Sequence, residues 1–464
     1  MSILGISAFH HDSAAAIVKK HKVVFASHEE RFSRQKYDKR WPQNAINYST
    51  HLCAEIKTVV FYDKDNKGDS KSLIKKQFPK AEIEYVDHHE SHAMSAICTT
   101  RWDECAVMVV DTVGGLYSTS LGVFQKGKIK WIKRFEYPNS LGLFYSTATR
   151  LLGFKPLKDE SQVMAAAAFG NPKWSDWIEN NVVQIGENNY QMRMDLRKGV
   201  GVGSLDWDVA ASVQYVTEKI LLNLAKFLKK ETKLENLAIS GGVALNCVAN
   251  THLYKHSGFK NIAIQPAAGD AGCSLGAAAL LQRPDWTTPY TGIHIPIKIN
   301  TSEVAEKLLE GKIVALLHGK AEFGPRALGN RSLLALPTVH NSKLLHKLKG
   351  RITDTWRPWA PICLEDVATY YFEGYNKKYN YDMLFTADDK SSPMREINRI
   401  CSARLQVVNY QTNSVLSEIL KKTTKKDQPV LINTSANARG KPIVNTREDF
   451  YNEMDDYRDY VHVA

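Results

Sequence analysis

The chain has 464 residues, of which 44% are hydrophobic and 24% are charged. This composition is typical of a soluble globular protein and excludes a disordered or fibrous chain, and the length allows two or three domains. The formal net charge of +12 favours anionic ligands such as nucleotides, phosphates or nucleic acid.

The apolar runs and the cysteines predict a cytoplasmic protein without a membrane partner. The longest apolar runs, at 106–111 and 312–318, are too short to span a bilayer. The N-terminus lacks the basic and apolar regions of a signal peptide. Seven scattered cysteines, none in a C-x-x-C pair, favour a reducing compartment over a disulfide framework.

The first thirty residues predict a strand, a turn, a strand, a turn and a third strand. The apolar runs ILGI, AAAIV and VVFAS are separated by the polar stretches HHDS and KKHK. Such a strand, returning on itself around a polar loop, is found in the phosphate-facing hairpin of actin-like and sugar-kinase-like domains, and other antiparallel meanders share the pattern. Five more strands are predicted at 58–63, 81–87, 106–111, 121–126 and 128–135, and residues 209–231 predict a long amphipathic helix.

Two strand–glycine–helix units follow, LENLAISGGVALN and NIAIQPAAGDAG. Units of this kind bind phosphates through free N–H groups at the start of the helix, and the pattern as a whole predicts an α/β fold. A stretch rich in proline and threonine at 283–300 predicts a boundary. We therefore expect one domain over 1–290, which would be internally duplicated if it is actin-like, and a second over about 300–464.

The stretch DHHESHA at 87–93 contains two histidines four residues apart, His88 and His92. On a helix both would lie on one face and could bind one cation. Two other strands end near acids, Asp111 and Asp270, each beside glycines. This donor set suits Fe(II), Mn(II) or Zn(II), although an exposed polar turn is the alternative that the spacing leaves open.

Many motifs, in order along the whole chain, resemble the O-carbamoyltransferase family of nodulation protein U and the cephamycin and aminoglycoside carbamoyltransferases. The matching stretches are GISAFHHDSAAAIV, HEERFSRQK, DHHESHA, VVDTVGG, NSLGLFYSTATRLLGF, ISGGVALN, AAGDAGCSLGAA, GKAEFGPRALGNRSLLA, WRPWAPICLED, SARLQVV and INTSANARGKPIV.

The resemblance implies an actin-like first domain that binds the metal and transfers the carbamoyl group, and a YrdC-like, adenylate-forming second domain. It also implies the metal ligands His88, His92, Asp111 and Asp270, with Fe(II) as the expected ion. The implied reaction forms carbamoyl adenylate from carbamoyl phosphate and ATP with Mg, and then passes the carbamoyl group to a hydroxyl.

Site residues for this reaction are carried over from the matched motifs. His11 is the expected general base or acceptor-orienting group, with Asp12 beside it. The residues expected to bind nucleotide or carbamoyl phosphate, several of them through guanidinium forks or backbone N–H groups, are Lys36, Glu160, Gly114, Gly241, Gly242, Asn246, Arg326, Arg331, Arg351, Arg357, Arg404, Asn433 and Ser435.

The chain departs from the family pattern V-K-x-R-E-x-F-R-P-F-A-P in the stretch GRITDTWRPWAP. There the lysine falls on Arg351, the arginine on Thr353 and the glutamate on Asp354, and one cation is lost. Ala436 replaces an aromatic residue in NTSAN. These changes put the efficiency of adenylate formation in question.

The acceptor stays open between a small-molecule or sugar hydroxyl and a hydroxymethylated pyrimidine in nucleic acid, which the positive charge would help to bind. A homodimer is a candidate assembly. The alternative functions are an ATP-dependent kinase, a tRNA threonylcarbamoyl transferase on the same core, or a non-catalytic relative.

Overall fold

The structure is a computed structural model, and it describes residues 2–53, 55–65, 67–194, 196, 205–351, 353–379, 382–454 and 460–464. The chain divides into two compact units. Unit 1 comprises Met1–Val24 and Lys39–Thr287, and unit 2 comprises Phe25–Asp38 and Thr288–Ala464.

The strands, in chain order, are β1 (Ser2–Ser7), β2 (Ala14–Lys19), β3 (Lys22–His28), β4 (Thr58–Phe61), β5 (Glu82–Tyr85), β6 (Glu104–Gly114), β7 (Tyr117–Gln125), β8 (Lys128–Glu136), β9 (Val183–Ile185), β10 (Tyr190–Met192), β11 (Asn236–Ser240), β12 (Asn261–Ile264), β13 (Tyr290–Ile295), β14 (Ile313–Leu317), β15 (Gly319–Glu322), β16 (Arg331–Ala335), β17 (Ala360–Leu364), β18 (Phe372–Glu373), β19 (Asp382–Asp389), β20 (Ser402–Val408), β21 (Val430–Ser435) and β22 (Val461–Val463).

The α-helices are α1 (Glu30–Ser33), α2 (Gln43–Leu52), α3 (Ser70–Gln77), α4 (His88–Ile97), α5 (Leu141–Leu151), α6 (Glu160–Ala166), α7 (Ser175–Asn181), α8 (Trp207–Thr232), α9 (Cys247–His256), α10 (Asp270–Leu281), α11 (Thr301–Leu309), α12 (Val339–Leu348), α13 (Glu365–Tyr371), α14 (Ser414–Thr424) and α15 (Arg447–Met454). Short 3-10 helices span Ala167–Phe169, Gly242–Leu245 and Pro393–Glu396.

Unit 1 contains the same sheet connectivity twice. The first sheet has the order β3-β2-β1-β4-β5, in which β4 and β5 run parallel to β1. The second has the order β8-β7-β6-β11-β12, in which β11 and β12 run parallel to β6. In each half, three consecutive strands are followed by two parallel strands on the far side of the first strand. The predicted α/β class and the actin-like internal duplication are confirmed.

Each strand predicted in the first half of the chain is present, because buried runs rich in Val, Ile and Ala suit a sheet covered on both faces. β1 is buried along its whole length, and β2 is buried except for its last residue. The predicted helix over 209–231 is α8, which begins two residues earlier and ends one residue later. Its N-cap, Asp206, accepts the N–H groups of Asp208 and Val209.

Close helix packing fixes the geometry of the centre of unit 1. A Cβ atom at Gly276 of α10 would lie 1.8 Å from the carbonyl oxygen of Ser91 in α4. Only glycine allows the two helices to approach so closely, and this approach brings the first residue of α10, Asp270, beside the histidines of α4.

Unit 2 contains an eight-stranded mixed sheet with the order β18-β19-β20-β17-β21-β16-β14-β22. Helices α11 and α14 pack on it, and the buried apolar core includes Val304, Leu308, Val314, Leu316, Leu334, Ile362, Leu416, Ile419, Leu420 and Leu431. The α/β class predicted for this part of the chain is confirmed, and its adenylate-forming character stays a prediction. Within the described ranges, no helix combines the length and apolarity needed to cross a membrane.

Candidate metal centre and anion site

Helix α4 presents two imidazoles on one face. The side chain of Asp87 caps the helix and accepts the N–H of Glu90 at 3.1 Å. His88 and His92 are therefore one turn apart at the start of a buried helix, with exposures of 1% and 0%. The helical placement on which the sequence hypothesis depended is present.

Two carboxylates complete the group. Asp111 lies on β6 and Asp270 is the first residue of α10. The Asp111 Oδ2 atom lies 3.5 Å from His88 Nε2 and 3.4 Å from His92 Nε2. The corresponding distances from Asp270 Oδ1 are 3.7 and 3.5 Å. One donor atom of each of the four residues lies within 4.8 Å of the others, so residues from three separate stretches of the chain converge on one point.

The ligand atoms that face away from the shared point, which we call the outer atoms, contact other groups of the protein. His88 Nδ1 lies 3.3 Å from Asp63 Oδ2, and His92 Nδ1 lies 3.4 Å from Ser240 Oγ. The backbone N–H of Gly242 donates to Asp111 Oδ1 at 3.1 Å. Outer-shell partners of this kind orient first-shell metal ligands.

The ligand atoms that face the shared point are suited to binding a cation. Among the described residues, neither His88 Nε2 nor His92 Nε2 has a hydrogen-bond partner, although both atoms are buried. Burial disfavours the charged imidazoles, yet the neighbouring carboxylates prevail and raise the pKa of His88 to about 10 and that of His92 to about 9. Two nitrogen and two carboxylate donors at one buried point suit a borderline divalent ion.

Cys273 and His89 border this group. Cys273 has its sulfur within 4.8 Å of ligand atoms of His88 and His92, and burial raises the pKa of its thiol. His89 Nδ1 lies 2.7 Å from Ser120 Oγ, and burial lowers the pKa of its imidazole, which therefore stays neutral. As the sequence predicted, His89 is not part of the four-residue group.

His11 lies between two oxygen atoms. Its Nδ1 is 3.1 Å from Asp12 Oδ2, and its Nε2 is 2.6 Å from the carbonyl oxygen of Leu157. Burial opposes the charged imidazole, but the charge of Asp12 outweighs it and the pKa of His11 rises to about 10. Both nitrogens of His11 therefore face acceptors, an arrangement that suits an imidazolium donating two hydrogen bonds. This geometry favours the orienting role over that of a general base.

Glu160 and His11 both contact the backbone of Leu157. Its Oε1 atom accepts the hydroxyl of Ser146 at 2.7 Å and the N–H of Leu157 at 2.5 Å. Leu157 thus connects the two side chains, since its carbonyl faces His11 and its N–H faces Glu160.

The glycines predicted to cradle nucleotide have other contacts here. The N–H of Gly241 donates to the Ala268 carbonyl at 3.0 Å, and that of Gly242 donates to Asp111. A Cβ at Gly114 would lie 2.5 Å from His88 Cδ2, so this glycine makes room for the imidazole.

Asn246 caps α9 and accepts the N–H of Ala249 at 3.0 Å, while its amide pairs with Gln214. Its side chain is therefore committed to the fold of unit 1.

In unit 2 the sequence analysis missed a buried lysine. The Lys349 Nζ atom lies 2.8 Å from the Ser435 carbonyl oxygen, 3.0 Å from the Asn437 carbonyl oxygen and 2.6 Å from Asn437 Oδ1. Burial, with Arg351 next, lowers the pKa of Lys349 well below its usual range. The stretch K-G-R at 349–351 has the K-x-R spacing of the family pattern. It aligns with that pattern only if this chain has two additional residues between Arg351 and Arg357, and an alignment without gaps does not reveal this.

Lys349 belongs to what we call the basic cluster, which consists of Lys36, Lys349, Arg351, Arg357 and Arg404. After burial, the positive charges of Arg351, Lys36 and Arg357 further lower the pKa of Lys349. Burial, together with the charges of Arg357 and Arg404, lowers the pKa of Arg351 to about 9. Cations grouped in this way attract anions, so the basic cluster is a candidate anion site.

Arg351 also stacks on an aromatic ring, with its guanidinium carbon 4.6 Å from the centre of Trp359. Of the remaining predicted residues in unit 2, Arg326 is half-buried. Asn433 is buried and donates to the Ala327 carbonyl and to Gln406 Oε1.

Arg331, by contrast, is fully buried, with an exposure of 0%. Its guanidinium donates to the backbone carbonyls of Asn445, His318, Asn330 and Ile293 at 2.6 to 2.9 Å. These bonds leave little capacity for a phosphate, and the nucleotide-binding residues proposed below do not include Arg331.

The comparisons with known proteins identify the family. The family model described as Carbamoyltransferase N-terminus matches residues 2–73 and 67–279, and the one described as Carbamoyltransferase C-terminus matches residues 305–462. The chain belongs to the carbamoyltransferase family. The predicted family and the prediction that the chain is an enzyme, a carbamoyltransferase, are confirmed.

Relatives with informative names cover almost the whole chain. Nodulation protein NolNO of Sinorhizobium fredii is 28% identical over 96% of this chain and 76% of its own length. The 3'-hydroxymethylcephem-O-carbamoyltransferase of Amycolatopsis lactamdurans is 26% identical over 95% of this chain and 94% of its own. A solved structure of full-length HypF with bound phosphate and nucleotide matches 61% of this chain and 56% of its own, with 18% identity and a TM-score of 0.43.

Proposed function

We propose that this carbamoyltransferase forms carbamoyl adenylate at the basic cluster of unit 2 and transfers the carbamoyl group to a hydroxyl at the four-residue centre of unit 1. The observation that carries the proposal is the convergence of His88, His92, Asp111 and Asp270, with both Nε2 atoms buried and without a hydrogen-bond partner among the described residues.

The four residues would hold one divalent cation, and we propose Fe(II), with Mn(II) and Zn(II) as alternatives. When bound, the ion would supply Lewis-acid stabilisation of negative charge on a phosphate oxygen. The protein prepares the site, because Asp63, Ser240 and the Gly242 N–H hold the outer atoms of three of the four ligands.

The basic cluster would bind the phosphates of ATP, as its Mg complex, and of carbamoyl phosphate. Water cleaves carbamoyl phosphate to carbamate and phosphate. A carbamate oxygen then attacks the α-phosphorus of ATP, and pyrophosphate leaves. Arg351, Arg357 and Arg404 would hold phosphate oxygens through guanidinium forks, with Lys36 and the half-buried Arg326 as further cations. Lys349 would keep the Ser435–Asn437 turn in place for the nucleotide.

In the transfer step the acceptor oxygen bonds to the carbamoyl carbon, and AMP leaves with the electrons of the broken C–O bond. His11, as an imidazolium, would orient an oxygen atom and stabilise charge on it. Asp12, on the same loop, offers a carboxylate that can take the hydroxyl proton. Glu160, tied to His11 through Leu157, would help to orient the acceptor.

We propose a small-molecule hydroxyl as the acceptor, because a relative of nearly equal length is named for action on a hydroxymethylcephem. A hydroxymethylated pyrimidine in nucleic acid is the second candidate, on the strength of the +12 charge. Addition of a carbamoyl group, detected by mass spectrometry, would separate the two acceptors. A homodimer stays a prediction.

Release of pyrophosphate tests the first half-reaction without a known acceptor. With Fe(II), Mg and ATP, the chain should release pyrophosphate only when carbamoyl phosphate is present. Release of ADP instead would point to a kinase, and no product at all would overturn the proposal. Lys349→Met should abolish the release, whereas the matched Lys347→Met, at an exposed position two residues earlier, should retain it.

A further inference from the structure

Asp63 lies directly behind the four-residue centre, next to the ring nitrogen of His88 that faces away from the other ligands. It follows β4 by two residues and is buried, with an exposure of 0%. Its Oδ2 atom is 3.3 Å from His88 Nδ1 and 3.8 Å from His10 Nε2. A fully buried carboxylate is costly unless it is paired, and here the pairing is directed at a candidate metal ligand.

The two carboxylate oxygens of Asp63 have separate contacts. Oδ1 accepts the backbone N–H of Asp65 at 2.9 Å, which stabilises the turn after β4. This hydrogen bond alone would be enough if the only role of Asp63 were to stabilise the fold. Oδ2 faces the imidazoles of His88 and His10, and the contact with His88 Nδ1 is one that the bond to the Asp65 N–H does not require.

The second histidine of the centre has a weaker support. His92 Nδ1 faces Ser240 Oγ at 3.4 Å, and the same hydroxyl lies 3.2 Å from Ser95 Oγ. A neutral hydroxyl shared in this way polarises an imidazole less than a buried carboxylate does. The two histidines are chemically unequal for this reason.

We propose that Asp63 is a positioning residue of the metal centre, which holds the His88 proton on Nδ1 and directs the Nε2 lone pair to the point shared with Asp111 and Asp270. The inference rests on the proposed function, because it requires the four residues to bind a cation. A carboxylate behind a metal-bound imidazole fixes its tautomer and raises its basicity, and loss of such a partner costs about 10–100-fold in metal affinity.

The variant Asp63→Asn tests the tautomer directly. Because one oxygen is needed for the Asp65 N–H, the amide nitrogen takes the position of Oδ2 and donates to His88 Nδ1. His88 must then carry its proton on Nε2, where it blocks the cation. We expect the Kd for Co²⁺ to rise about 10–100-fold, and we expect the absorption spectrum of bound Co²⁺ to change as His88 leaves the ligand set.

Two matched variants frame this result. Ser240→Ala should raise the Kd for Co²⁺ less than Asp63→Asn does. Asp103→Asn, the same chemical change at an exposed aspartate, should leave both the Kd and the spectrum at wild-type values. Circular dichroism and thermal melting of each variant report whether it folds.

The outcomes separate the two claims. A wild-type chain that does not bind Co²⁺ overturns the proposed function, whereas a wild type that binds it and an Asp63→Asn variant with equal Kd and spectrum overturn this inference alone. If Asp63→Asn does not fold, ¹⁵N-histidine NMR of the Zn²⁺-loaded wild type decides the question. A proton on His88 Nδ1 supports the inference, and a proton-free Nδ1 refutes it.

Discussion

Gly114 offers a sharp test of the centre, because it lies against a proposed ligand without being one. A Cβ atom at this position would be 2.5 Å from His88 Cδ2 and 2.7 Å from His88 Cγ. Ordinary van der Waals contact begins at 3.4 Å. In Gly114→Ala, the imidazole and the new methyl group must therefore separate by about 0.9 Å, which is 3.4 minus 2.5.

A displacement of that size matters because ligand distances in metal sites are held to about 0.2 Å. If half of the 0.9 Å falls on His88, its Nε2 moves by roughly twice that tolerance. We expect the Kd for Co²⁺ to rise at least about tenfold, as it does when a ligand loses its support.

Isothermal titration with Co²⁺ measures this effect, and thermal melting shows whether the variant is folded. Gly186→Ala is the matched control, because its Cβ would meet its nearest atom, the Asn189 carbonyl oxygen, at 3.5 Å, an ordinary contact. A folded Gly114→Ala chain that binds Co²⁺ as tightly as the wild type would refute the reasoning. If it also lost nucleotide binding, Gly114 would belong to the nucleotide site predicted from the sequence.

The other predictions concern both units. Lys349→Met should abolish carbamoyl phosphate-dependent pyrophosphate release without changing the Kd of unit 1 for Co²⁺, and a weakened Co²⁺ affinity would contradict the separate roles. Arg331→Ala should lower the free energy of unfolding by about 3 kcal/mol or more, since each lost hydrogen bond to a charged group costs about 1.5–3 kcal/mol; urea denaturation measures it, and normal stability with lost activity would show a ligand-binding role instead. In the metal-free chain, NMR should show His11 titrating with a pKa of about 10, and Asp12→Asn should lower that pKa. Because folding raises this pKa, the stabilisation that His11 provides is fully present below pH 6.5 and is lost as the pH rises through about 10.

Much of unit 1 was predictable, because its strands are continuous apolar runs bounded by polar turns. The apolar runs ILGI, AAAIV and AVMVVD predict strands β1, β2 and β6, respectively. The histidine spacing of DHHESHA likewise predicted the shared face of α4. The convergence of the two histidines with Asp111 and Asp270 could be expected only from the family resemblance, because no local sequence pattern encodes contacts between distant segments.

The residues that sequence reasoning missed or placed differently depend on burial and on insertions. Arg331 lies in a glycine-bounded motif that predicts a phosphate ligand, yet its guanidinium is enclosed by backbone carbonyls. Lys349 was overlooked because a match without gaps assigns the family lysine to Arg351. Asp63 ends the predicted strand TVVFYD, and its position at a strand end was the signal that could have revealed it.

Metal content tests the central claim most directly. After equilibration with Fe(II) under anaerobic conditions and removal of the unbound ion, elemental analysis should find one ion per wild-type chain. The folded single variants His88→Ala, His92→Ala, Asp111→Asn and Asp270→Asn should retain much less. A wild type without iron, or variants that retain as much of it as the wild type, would contradict the account.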